Sequence, residues 1–261
     1  MKQVIELNWS SNTYLKFAKE RTQPSIDLAM RLQSMKAERI IDIGCGPGNS
    51  TAVLKRFFPE AYILGIDYSQ DMIERASCDY PDMAFACLDA ANDLNTISDR
   101  FDIVFSNACI QWIPNHKKLL KEMFGLLKEG GILAVQIPMN DNEPIHQIIN
   151  ELVNSLKWRQ KFDCPRIFYS LTPSEYHDVL SELSNDFTMW ETTYYHRLPS
   201  YESIMEWYKG TGLRPYLEVL NSSDQTAFES EVFEQIKQRY SMQSNHEIIF
   251  KFPRLFFTAR K

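Results

Sequence analysis

No apolar run in this sequence approaches the roughly twenty residues a membrane-spanning helix needs. The opening stretch MKQVIELNWS also lacks the apolar centre of a secretion signal, so a cytoplasmic protein without membrane association is expected. Basic charge is short as well. Lys and Arg number 28 against 34 Asp and Glu, giving a formal net charge of -6. With no basic run interleaved with aromatics, a nucleic-acid partner is not expected. The five cysteines are odd in number, scattered and never spaced CxxC, which argues against a disulfide framework and a structural zinc site. No bound metal is expected.

What is present is ordinary for a globular protein: 44% hydrophobic and 24% charged residues over a 261-residue chain long enough for a substantial core. From about residue 22 to 138, short apolar runs alternate with helical periodicity. Strands are expected at Arg39–Ile43, Tyr62–Ile66, Ala84–Cys87, Phe101–Phe105 and Gly131–Ile137. Helices are expected between them at Ser50–Phe57, Ser69–Ala76 and Lys117–Leu127. This rhythm implies an α/β fold with a parallel sheet covered on both faces.

Past Pro138 the rhythm changes. Helices are expected at Glu143–Trp158 and at Pro173–Leu183, the second capped by Thr172 with Glu175 three residues on. An aromatic and threonine-rich strand follows at Phe187–His196, then helices at Tyr201–Lys209 and Asp224–Arg239. The last strand, Glu247–Lys261, carries Pro253, which argues for a bulge or an edge position. One domain is expected: an N-terminal lid over 1–24, a core sheet over 36–138 continued by 187–197 and 246–261, and helical cap insertions over 139–186 and 198–245.

Glycine is scarce, nine in the chain, yet Gly44, Gly46 and Gly48 fall in the single stretch IIDIGCGPGNSTAVL. They follow a strand and precede a helix, and read either as a tight turn that uses glycine for positive φ or as a close approach of backbone N–H groups to a ligand at a helix N-terminus. The dinucleotide fingerprint GxGxxG fails, because position 49 is Asn and the third glycine comes one residue early. Asp42, just before the turn, would repel a pyrophosphate and favour a cationic ligand. S-adenosyl-L-methionine fits this demand, with ribose, adenine, ammonium and sulfonium but no phosphate. Asp67, at the end of the second strand, stands at the ribose-binding position. Asp89 is placed to accept from an adenine amino group; its bland reading is a solvated loop acid. Asn107, Gln111 and Trp112 follow the fourth strand, at the carboxyl edge where open sheets present ligands.

Together these motifs resemble the class I S-adenosylmethionine-dependent methyltransferases. DIGCGPGNS resembles their first motif, ILGIDYS the ribose-binding acid motif, ACLDA the adenine-side motif and FSNACIQW the motif after the fourth strand. The resemblance implies a Rossmann-like, seven-stranded, mostly parallel sheet with an antiparallel last strand, EIIFKFPRLFFTARK, plus helical insertions forming a cap. It implies cofactor contacts from Asp42, Gly44, Cys45, Gly46 and Asn49 in the first motif, and from Asp67, Tyr68 and Met72 in the second. Asp89 and Ala90 would serve in the third, and Asn107, Gln111 and Trp112 in the fourth.

A second resemblance, to the trans-aconitate 2-methyltransferase family, runs over nearly the whole chain. Its stretches include NW....YLKFAKERTQP, NACIQW, LAVQIP, TTYYHRLPS, TGLRPYL and FPRLFF. It implies an O-methyltransferase that esterifies a carboxylate of a small polycarboxylic acid. Between about residues 139 and 186 the chain departs from the pattern, with extra basic residues in SLKWRQKFDCPRIF. Alternatives are a methyltransferase for another small acid or a malonyl thioester, a non-catalytic S-adenosylmethionine-binding protein and, disfavoured by Asp42 and Asn49, a nicotinamide dehydrogenase.

A carboxylate is already ionised at neutral pH, so esterification needs positioning and desolvation rather than a base. Remaining carboxylates need arginines, which grip them bidentately. Arg214 is the first candidate, then Tyr194, Tyr195 and His196, with Arg166 and Arg254 behind them. An exposed ion pair is the bland reading of Arg214. Tyr194 and Tyr195 alternate faces, so one at most points at a ligand. Tyr14, Phe17 and Arg21 lie at helical spacing in a lid, with Tyr14 and Trp112 as positioning residues, Trp9 shutting out water and Arg21 meeting the methionyl carboxylate. A monomer or weak dimer is expected.

Overall fold

In the computed structural model, residues 18–162, 168–210 and 212–261 are described, without the side chains of residues 18, 19 and 21. The strands are β1 (Arg39–Ile43), β2 (Tyr62–Asp67), β3 (Ala84–Cys87), β4 (Phe101–Asn107), β5 (Leu127–Pro138), β6 (Phe187–Leu198) and β7 (Ile248–Arg260). They form one seven-stranded sheet in the order β3-β2-β1-β4-β5-β7-β6. Pairings from β3 through β5 are parallel, and β7 runs antiparallel to β5. The Rossmann-like sheet with an antiparallel last strand is therefore present, and the strand order reverses between β1 and β4.

The helices are α1 (Ala18–Leu32), α2 (Asn49–Phe57), α3 (Gln70–Asp79), α4 (His116–Gly125), α5 (Pro144–Val153), α6 (Pro173–Leu183), α7 (Tyr201–Lys209), the short α8 (Arg214–Leu217) and α9 (Ser222–Arg239). Helices on the parallel strands explain why those strands are mostly apolar. Ile40, Ile41, Ile103, Phe105, Leu133 and Val135 are completely buried, each worth roughly 1.5–3 kcal/mol of burial. Helix starts follow the chain's own caps. Ser69 accepts from the Met72 amide, and Thr172 and Glu175 form a reciprocal capping box.

Two compact units divide the chain. The sheet unit comprises 18–138, 168–192 and 254–261, and the helical unit has 139–162, 193–210 and 212–253 as its described part. Helix α6 thus belongs to the sheet unit. The helical unit has its own aromatic centre, where Trp158 meets Phe228 edge-on at 5.0 Å and Trp207 packs on Phe250 at 5.4 Å.

Two expectations are corrected here. The helix foreseen at Glu143–Trp158 ends at Val153, because Asn154 turns its side-chain amide back onto the Asn150 carbonyl at 2.8 Å. Trp158 instead sits in a following turn and donates from Nε1 to Glu231 at 2.7 Å. The strand carrying Pro253 is not an edge, since β7 lies between β5 and β6. The Pro253 carbonyl accepts from Met139 at 3.0 Å, just past the end of β5. N–H and C=O of one strand residue point the same way, so the missing N–H falls where the β5 ladder has already ended.

Candidate cofactor site

The turn after β1 depends on its glycines. Gly44, Gly46 and Gly48 have φ of 74, 54 and 89°, a region that only glycine enters without strain. A Cβ on Gly44 would also meet Cys109 Sγ at 2.1 Å. The amides of Gly44 and Cys45 both donate to the Ile66 carbonyl, at 2.8 and 3.0 Å. The Gly46 amide donates to Asp67 Oδ2 at 2.9 Å. These three N–H groups are thus spent inside the protein. The turn offers close backbone approach without a phosphate cradle.

Asp42 closes the floor of this turn. It is fully buried, and its Oδ2 accepts from Ser50 Oγ at 2.6 Å and Thr51 Oγ1 at 2.7 Å. Its Oδ1 has no partner among the described residues. Burial pushes the carboxyl up to about 6, against the pull of those two hydroxyls. Asp67, also raised by burial, holds Gly46 and Ser69 amides at 2.9 Å on its two oxygens, and each oxygen keeps a further lone pair.

Past β4, Asn107 Oδ1 and Gln111 Oε1 are two more buried acceptors without partners among the described residues. Gln111 is fixed by donating Nε2 to the Ala108 carbonyl at 2.6 Å and by accepting the Tyr169 amide at 2.9 Å on its own carbonyl. The Trp112 ring lies 4.7 Å from that of Phe168. His116 braces the same turn. Its Nε2 meets the Ile110 carbonyl at 2.9 Å, so that nitrogen carries the hydrogen and Nδ1 accepts from the Tyr176 hydroxyl at 2.6 Å. Burial pulls the His116 pKa below its ordinary value, keeping the ring neutral.

Three acceptors without partners among the described residues, set around a glycine turn, fit a ligand that brings hydrogen-bond donors and positive charge, and not a pyrophosphate. Comparison with known proteins agrees. A family profile described as a methyltransferase domain matches residues 41–135. Trans-aconitate 2-methyltransferase of Escherichia coli O157:H7 (strain EC4115) is 38% identical over 254 residues, covering 97% of this chain and 98% of that one. The chain belongs to the trans-aconitate 2-methyltransferase family. Its namesake from Escherichia coli O7:K1 is 39% identical over the same share of both chains. Among solved structures, the YcgJ protein of Bacillus subtilis shares the fold at TM-score 0.60 and 17% identity, over 92% of this chain and 98% of that one. Phosphoethanolamine N-methyltransferase 2 of Haemonchus contortus, solved with S-adenosyl-L-methionine, matches at TM-score 0.55 and 17% identity, over 91% of this chain and 52% of that one.

As a member of this family, the chain is an S-adenosylmethionine-dependent methyltransferase. The sheet unit brings together Asp42, Gly44, Cys45, Gly46, Asn49, Asp67, Asn107 and Gln111 along the ends of β1, β2 and β4 and the turns after them. Cys45 and Met72 are buried, while Tyr68 is 61% exposed. Asp89 is turned onto its own loop, accepting from the Ala91 amide at 2.9 Å and Asn92 Nδ2 at 2.7 Å beside buried Ala90.

The acceptor candidates of the helical unit are placed differently. Tyr195 is 64% exposed, whereas Tyr194 lies parallel to the His196 ring at 6.1 Å, so the two tyrosines do take opposite faces. Arg214 opens α8 and donates from Nε to Glu218 at 2.6 Å, the ion pair of its bland reading. Trp9, Tyr14, Phe17 and Arg166 lie outside the described residues, as does the Arg21 side chain. Sequence reading passed over Ser50, Thr51 and Gln136. The last had a legible signal, a lone amide inside the apolar strand GILAVQIP.

Proposed function

We propose that this methyltransferase esterifies a carboxylate of a small polycarboxylic acid, with trans-aconitate as the first substrate to test. The carrying observation is full-length similarity, at 38–39% identity, to proteins named for that reaction. That similarity covers 97% of this chain, well beyond the generic methyltransferase domain of residues 41–135. In the proposed site, Asp42, Asn107 and Gln111 face the cationic part of the donor and Asp67 the ribose. S-adenosylmethionine, when bound, supplies a methyl on a sulfonium, and transfer to a carboxylate oxygen leaves a neutral thioether and a neutral ester with no proton moved.

The protein's task is then to hold ions rather than to move protons. An ionised carboxylate needs no general base at neutral pH, which suits an edge where His116 is held between a carbonyl and a tyrosine with its pKa lowered by burial. Trp112 and Phe168 exclude water from this edge. Arg214, Tyr194 and His196 remain proposed for acceptor recognition, and Asp89 and Ala90 for the adenine.

The test is S-adenosylhomocysteine formation with a panel of small mono-, di- and tricarboxylic acids. Turnover with trans-aconitate or a related polycarboxylate is expected. Turnover with none of them would remove the acceptor from this account while leaving the donor site standing.

A further inference from the structure

Buried side-chain atoms at the carboxyl edge of the sheet sort by chemistry along it. On β1 and at and beyond the end of β4, those without partners among the described residues are acceptors: Asp42 Oδ1, Asn107 Oδ1 and Gln111 Oε1. On β5 the atom of this kind is a donor, Gln136 Nε2. The register shows how these groups are arrayed. Asp42 pairs with Phe105, two residues before Asn107, and Asn107 pairs with Gln136. Gln136 in turn pairs with Phe256, and Pro138 with Arg254. Side chains two apart on a strand, and those directly paired across strands, share a face. Asp42, Asn107, Gln136 and Arg254 therefore form one polar row across β1, β4, β5 and β7.

Arg254 settles which way Gln136 points. Its guanidinium donates to Gln136 Oε1 at 3.3 Å, and a group that only donates fixes the amide oxygen towards itself. The Gln136 N–H is thereby left as the end available to a ligand. Gln136 is 0% exposed and Arg254 5% exposed, so solvent screens neither of them well. The row thus begins in a buried carboxylate and ends in a buried guanidinium beside an amide N–H.

We propose that Gln136 and Arg254 seat a non-reacting carboxylate of the acceptor, on the flank of the donor site. This rests on the carboxylate-methylation reading above. Adjacent strands lie about 4.8 Å apart, which puts the Gln136 end of the row about one spacing from Asn107. Cation and anion of the two substrates are then drawn to opposite ends of one row, Asp42 taking the first and Arg254 the second. The seat also makes a second carboxylate a requirement, so monocarboxylates are poor acceptors.

Three variants test it: Arg254→Met, Arg254→Lys and the near-isosteric Gln136→Glu, which sets a carboxylate of the protein against the guanidinium. Calorimetry gives S-adenosylmethionine affinity, and titration of trans-aconitate into S-adenosylhomocysteine-loaded protein gives acceptor affinity without turnover. Acceptor binding and KM are expected to weaken at least tenfold in Arg254→Met and Gln136→Glu. Arg254→Lys should recover part of the loss, and donor affinity should stay within twofold throughout. Loss of the wild-type preference for polycarboxylates over monocarboxylates in Arg254→Met adds a readout that a merely structural role would not move. Unchanged acceptor affinity in Gln136→Glu and Arg254→Met, with wild type still making ester, overturns the seat and leaves the reaction intact. Loss of donor binding instead also overturns it, by placing Arg254 on the donor. Arg254-dependent carboxylate binding by a wild type that makes no ester would support the seat while removing the reaction.

Discussion

Ser50 donates its hydroxyl hydrogen to Asp42 Oδ2 at 2.6 Å, tying the first turn of α2 to the strand end it leaves. With Thr51 on the same oxygen, the carboxylate is held with Oδ1 as its remaining acceptor. Its carboxyl is pushed from an ordinary 3.8 up to about 6 by burial. Between those values the folded chain holds a proton that the unfolded chain has lost, so the Asp42 contribution to stability of the ligand-free protein falls as pH rises through this window. Keeping this buried carboxyl ionised costs about 3 kcal/mol above pH 6. Asp42→Asn is expected to raise the thermal midpoint at pH 7 and to leave it nearly unchanged at pH 4. S-adenosylmethionine affinity of the wild type should weaken as pH drops below about 6, and the same calorimetric series on Asp42→Asn should be weak and flat.

Gly44 and Gly46 both have positive φ, but their surroundings differ. A Cβ at Gly44 meets Cys109 Sγ at 2.1 Å, whereas nothing lies within 4 Å of one at Gly46. Gly46→Ala should cost about 1–2 kcal/mol from backbone strain alone. Gly44→Ala should cost more, about 3–5 kcal/mol, since the post-β4 turn must also move. Urea denaturation of the two variants checks the order, and equal losses would contradict the packing described here.

Tyr176→Phe leaves the buried His116 Nδ1 without its donor. Loss of about 1–3 kcal/mol is expected at pH 7. Because the folded-state His116 pKa is lowered by burial, the His116 contribution to stability should shrink as pH falls below about 6.5, where the unfolded chain takes the proton first; this is opposite in sign to the Asp42 contribution and is read cleanly in the Asp42→Asn background. Chemical denaturation between pH 5 and 8 measures both effects.

How much of this was legible beforehand follows from what each feature depends on. Local chemistry was readable: the capping box at Thr172 and Glu175, the glycine turn and the acid before it are set by neighbours in sequence. The polar row was not, because Asn107, Gln136 and Arg254 come together only through the register of β4, β5 and β7. Pro253 misled for the same reason. Its missing N–H is harmless only because β5 ends beside it, a fact of pairing and not of composition. The spent amides of Gly44, Cys45 and Gly46 likewise depend on where β2 lies.

Arg214→Ala is expected to raise the acceptor KM about tenfold with S-adenosylmethionine affinity unchanged. Glu218→Ala, which releases the Arg214 ion pair, should leave KM within a few-fold. Steady-state kinetics on both separates acceptor recognition from an exposed pair, which on its own contributes about 0–1 kcal/mol.

The central claim is that the methyl group ends on a carboxylate oxygen. The direct measurement is incubation with methyl-labelled S-adenosylmethionine and trans-aconitate, isolation of the labelled acid and mild alkaline treatment. Release of the label as methanol, as from a carboxyl ester, is the expected result. Label that survives alkali, or never enters the acid or any related polycarboxylate, would contradict it.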